Sequence, residues 1–131
     1  MTPERPRDVL GRPLPDDADP RLVVPGIPDV DGLSDQQVWN AAVDYLDRGQ
    51  PFHAHEVFEM RWRSAEPADR AAWRALAQWG AALTHRARGN PVGARALAAR
   101  TLDTVSGAPH IPAAVDLARV TESCRGMLAS T

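Results

Sequence analysis

The sequence predicts an all-α protein: an antiparallel bundle of about five helices with an extended, proline-rich N-terminal arm packed on it. Three observations carry this. Seven prolines, Pro3, Pro6, Pro13, Pro15, Pro20, Pro25 and Pro28, fall before residue 33 and forbid any helix longer than about one turn there. After residue 33, helix start and stop signals recur at regular intervals. No segment alternates apolar and polar residues with period two, as a half-buried strand requires. At 131 residues and 44% hydrophobic, the chain suits one small core. We divide it into an arm, residues 1–33, and a bundle, residues 34–131.

The arm carries Val9, Leu10, Leu14, Leu22, Val23, Val24, Ile27 and Val30, too many apolar residues for a solvated tail, so it is expected to drape over the bundle. The first helix opens at Ser34 as N-cap, with Gln37 closing a capping box and Leu33 and Val38 as a hydrophobic staple. Val38, Ala42, Tyr45 and Leu46 form its inner stripe, and Gly49 stops it. Pro51 begins the second helix, which runs to about Ser64. Pro67 begins the third, which continues to Arg88 and buries Trp73, Leu76, Ala77, Gly80, Leu83, Thr84 and Ala87. Asn90 caps the fourth, which has Pro91 at its first position and a stripe of Ala94, Leu97, Ala98, Thr101, Leu102 and Val105. A loop from Gly107 to Pro112 leads to the fifth, whose stripe reads Ala114, Leu117, Thr121, Cys124 and Leu128.

Charge and composition exclude several classes. The net charge is −2, with four arginines against ten acids up to residue 47 and eleven against seven beyond it. A nucleic-acid footprint would be far more basic, although Arg61, Arg63, Arg86, Arg88 and Arg95 give it a minor candidacy. The longest uncharged run of the body, Ala75 to Thr84, is too short to span a bilayer, so no membrane role is expected. The opening residues MTPERPRDVLGRP place charges and prolines where a secretory signal has an apolar core. The single Cys124 excludes an internal disulfide and fits a reducing, cytoplasmic setting.

The chemistry concentrates in FHAHEVFEMRW. On a helix, His55, Glu59 and Trp62 form one stripe, with Phe52 at its upper end. Folding the second and third helices about Glu66-Pro67 sets His55 opposite about Gln78 and Glu59 opposite about Arg74. His85 lies two turns further along, near the Phe52 end.

Three stretches, FHAHEVFEMRWR, WRALAQWGAALTHRARGN and PVGARALAARTL, resemble the bacterial and archaeal family called domain of unknown function 309. Its mark, a histidine, three residues, a glutamate, two residues and a tryptophan or tyrosine, falls on His55, Glu59 and Trp62. Gln78, His85, Arg88-Gly89-Asn90 and Gly93-Ala94-Arg95 match its downstream motifs, so the likeness covers about residues 40–105. The resemblance implies an all-helical fold and no established activity, with metal binding through the motif as a suggestion.

Two readings of the motif compete. In the first, His55, Glu59, Gln78 and Arg74 form a buried polar cluster that fixes the hairpin, since buried polar groups are costly unless partnered. In the second, His55, Glu59 and His85 hold a divalent metal such as zinc or manganese, with Glu56 as a base for hydrolysis. Arg74 beside Glu59 argues against a cation there, and the first reading stands ahead. No nucleophile or phosphate loop accompanies the pair, so catalysis without metal ranks lower. The functional expectation is a small binding or structural domain with a peptide, a protein or a second copy of the chain as partner. A metal-dependent enzyme and a nucleic-acid module follow as alternatives.

Overall fold

In the computed structural model, residues 6–22 and 24–130 are described. The expectation placed on Val23, and whatever of the arm lies in residues 1–5, including Pro3, falls outside them. Five α-helices follow the arm: α1 (Asp35–Asp47), α2 (Pro51–Ser64), α3 (Pro67–Ala87), α4 (Pro91–Gly107) and α5 (Leu117–Ala129). Among the described residues there is no strand, only isolated bridges from Arg7 to Pro13 and to Val24.

The ends are set by the residues that the sequence marks. Ser34 accepts from the Gln37 backbone N–H at 3.1 Å while the Gln37 side chain accepts from the Ser34 N–H at 2.9 Å, a complete capping box. Gly49 and Gly89, both with positive φ, reverse the chain after α1 and α3. Pro51, Pro67 and Pro91 open the next three helices, where a missing N–H costs nothing. Connections this short return the chain antiparallel, so α1, α2, α3, α4 and α5 each pack on their sequence neighbour.

The core is aromatic at its centre. Trp39 of α1 stacks on Trp79 of α3 at 6.1 Å, and Phe58 of α2 lies 6.1 Å from each and 6.4 Å from Trp73. Two of the inner stripes differ from expectation. On α5 the buried residues are Val120, Cys124 and Met127, while Leu128 is exposed. The helix begins only at Leu117, after the 112–116 turn, so Ala114 lies outside it and the stripe is rotated by one residue. Ala87 is also exposed, because it forms the last turn of α3, beyond the reach of its neighbours.

The arm crosses the open face of α2. Val30 is fully buried, and its N–H approaches Met60 Sδ at 3.5 Å. Further back, residues 8–12 form a tight turn in which Asp8 Oδ1 accepts from the N–H groups of Leu10 and Arg12. Gly11 at the tip has φ +77° and lies flat against Phe52. Arg88 Nε reaches out of the bundle to the Leu10 carbonyl at 3.0 Å.

Candidate functional site

Gly80 determines how close α2 and α3 come. A Cβ there would lie 2.8 Å from His55 Cα, so the helices meet where glycine leaves room. At that crossing His55 Nδ1 is 2.8 Å from the Ala77 carbonyl oxygen. On its other side, His55 Nε2 is 3.0 Å from Glu59 Oε2, and Glu59 Oε1 accepts from Arg63 Nη2. The result is a chain from the α3 backbone through imidazole and carboxylate to a guanidinium. Glu59 and Arg63 are an i,i+4 pair in the favourable order.

A carbonyl oxygen can only accept, so Nδ1 carries a hydrogen and Nε2 is left facing the Glu59 carboxylate.

The pair is not sealed. The side chains of His55 and Glu59 are 22% and 30% exposed, and they line a groove of about 670 Å³ between α2 and the arm. Phe52, Glu56, Met60, Arg63 and Ser64 complete the α2 side. Ile27 and Asp31 of the arm form the facing wall.

Three expected site residues therefore stand elsewhere, Gln78 and Arg74 of the buried cluster and His85 of the metal set. Gln78 turns to α4, where its Oε1 accepts from Thr104 Oγ1 at 2.8 Å. Arg74 is exposed, and its guanidinium lies 6.0 Å from the Trp62 ring, against α2 but away from Glu59. The cause is angular: Ala77, Gly80 and Thr84 turn the small face of α3 to α2, and a residue beside that face is rotated by about 100°. His85 is the third. Its Nδ1 is 3.0 Å from Asn90 Nδ2, while Asn90 Oδ1 caps α4 by accepting from Gly93 N–H. A Cβ on Gly93 would come within 2.8 Å of His85 Nδ1, so His85, Asn90 and Gly93 form the α3–α4 corner.

These positions decide the fit of a metal. His55 is oriented as a ligating imidazole would be, with Nδ1 tied to a backbone carbonyl and Nε2 aimed outward. The donor set stops there. Among the described residues no three His, Cys, Asp or Glu side chains gather to hold an ion. Arg63 occupies the second carboxylate oxygen, so the residues present do not make a metal centre.

Sequence reasoning missed Arg63, the groove wall and His53. The i,i+4 spacing of Glu59 and Arg63 was a usable signal, whereas nothing local places Ile27 and Asp31. His53 is 1% exposed, stacked on Tyr45 at 5.5 Å with Phe52 edge-on at 6.0 Å, and its Nδ1 has no hydrogen-bond partner among the described residues. Burial holds its pKa below the usual histidine value, and the nearby cations of Arg48 and Arg7 add to this, against opposing effects of the Val24 backbone and Asp8. Burial likewise raises the Cys124 thiol, which is a core residue. No helix among the described residues is long and apolar enough to cross a membrane.

No curated protein and no solved structure matches the chain. Residues 39–97 match the family model described as Domain of unknown function (DUF309), a span that includes all of α2 and α3, the His55–Glu59 pair and the His85–Asn90–Gly93 corner. With its characteristic motif set on the α2–α3 crossing, this span, a little under half of the chain, is similar to the DUF309 family.

Proposed function

We propose that the protein is a small helical binding domain that accepts a basic peptide segment of a partner in the groove over His55 and Glu59. The supporting observation is the groove itself: three carboxylates, Asp31, Glu56 and Glu59, line it against the single guanidinium of Arg63. Phe52, Met60 and Ile27 supply apolar contact between them. Opposite charge steers a cationic segment toward such a cleft, and the apolar residues hold its side-chain stems. In this reading α2 provides the floor, and Ile27 and Asp31 of the arm provide one wall.

The experiment is a nuclear magnetic resonance titration with a short arginine- and lysine-containing peptide and its glutamate-containing counterpart. The basic peptide is expected to shift signals of Phe52, His55 and Glu59 together. Asp31→Asn combined with Glu59→Gln is expected to weaken it at least about tenfold, with helical circular dichroism unchanged. Equal binding of the two peptides, or shifts confined to other faces, would refute the proposal. Zinc and manganese titrations belong beside it: saturable binding of either that disappears in His55→Gln would favour the metal reading, which the orientation of His55 alone supports.

A further inference from the structure

A second cleft, about 300 Å³, opens where α1, α3 and α5 meet, and none of its lining residues belongs to the groove over His55. Its floor is apolar, with Leu46 of α1 beside Trp79 and Leu83 of α3. Its polar side chains are the guanidinium groups of Arg86 and Arg119 and the hydroxyl of Ser123. No carboxylate lines it. Trp79 Nε1–H donates to Ser123 Oγ at 2.9 Å, which leaves the Ser123 hydroxyl hydrogen for an incoming acceptor. Arg86 makes no ion pair among the described residues. Among the described residues the Arg119 guanidinium pairs with Asp47, at 3.2 Å and with both side chains 40% or more exposed, an interaction weak enough to be shared or exchanged.

Three donors over an indole and a leucine define a ligand by complementarity. We propose that this cleft binds a small organic carboxylate, an aromatic or branched aliphatic acid whose body rests on Leu46 and Leu83, above the buried Trp79, and whose carboxylate lies between Arg86 and Arg119. Guanidinium groups pair with a carboxylate in a planar, two-pronged geometry, and the Ser123 hydroxyl adds a third donor. The cleft is at the small end of ligand pockets and accommodates a body of about six to ten non-hydrogen atoms. A polyphosphate would leave the apolar floor wet, and a neutral hydrocarbon would leave the two cations unanswered.

The indole N–H of Trp79 reports directly on occupancy. Benzoate and 3-methylbutanoate are titrated against the full chain by ¹H–¹⁵N spectroscopy, with benzyl alcohol and acetate as probes of body and charge alone. A saturable shift of the Trp79 indole signal is expected with at least one acid, with benzyl alcohol and acetate at least about tenfold weaker. Arg86→Gln and Arg119→Gln should each weaken the acid at least about fivefold while leaving circular dichroism and the His55 signals unchanged. The proposal is overturned if neither acid shifts Trp79 saturably, if benzyl alcohol binds as well as benzoate, or if both arginine variants bind like the parent. Since His55 and Glu59 are not involved, failure of the groove proposal leaves this result unaffected.

Discussion

His53 and His55 are separated by one residue of α2 and meet opposite environments. His55 is held between two acceptors at the edge of the groove, whereas His53 is buried against Tyr45 with one ring nitrogen unpartnered among the described residues. The depressed pKa of His53 has a consequence for stability whose sign is fixed. Below its ordinary value of 6.5 the unfolded chain takes up a proton that the folded chain resists, so the unfolded state gains. Stability contributed by neutral His53 is complete above about pH 6.5 and is lost as pH falls toward the folded value. Denaturant midpoints measured at several pH values should decline on the acid side, and His53→Phe, which keeps the ring stack, should flatten that decline. A pH profile identical in the variant would show that His53 is not the group responsible. Spacing sets these histidines on roughly opposite sides of α2, but periodicity fixes a face and not which neighbour covers it. His55 was legible as a motif residue. The hydrogen-bond partner that orients it, the Ala77 carbonyl, is backbone and has no sequence signature.

At the scale of elements, the boundaries of α1, α2, α3 and α4 were legible to within a residue or so, because caps and prolines act locally, whereas α5 starts three residues later than its stripe suggested. The capping box at Ser34 and the prolines at the starts of α2, α3 and α4 all stand where their chemistry puts them. What failed was rotation. Reflecting positions about Glu66-Pro67 put Gln78 opposite His55, but the small residues of α3 turn Ala77 and Gly80 there instead. Gly80→Ala tests this crossing. The added methyl meets backbone at His55, and an overpacking cost of about 1–3 kcal/mol exceeds the roughly 1 kcal/mol that alanine gains in helix propensity. Net destabilisation of about 1 kcal/mol or more is expected in urea denaturation, with weakening of the His55 Nδ1–H signal as α2 is pushed outward. A variant as stable as the parent would mean the helices are not in contact at that point. His85 gives the same lesson: a residue that looked like ligand material closes a corner between helices with Asn90 and Gly93.

For the whole molecule, the arm is the part least readable from sequence and the one that completes the groove. Its apolar content predicted contact with the bundle, and Val30 is indeed fully buried, yet Val9 and Leu22 remain exposed. Gly11 fixes its upper end against Phe52, where a Cβ would fall 2.1 Å from the ring and the positive φ already disfavours a side chain. Gly11→Ala should therefore release the turn from the bundle. Limited proteolysis should cut the variant faster within residues 6–33, with helical content preserved; unchanged cleavage would show that Gly11 does not hold the arm.

Ile27 and Asp31 lie outside the segment that matches the family, whereas His55, Glu59 and Arg63 lie within it. The cleft is thus a composite of a family-borne base and a rampart supplied by this chain's own leading segment. If the groove takes the basic segment proposed for it, substitutions in that rampart would change which segments fit while the His55–Glu59–Arg63 chain beneath stays in place.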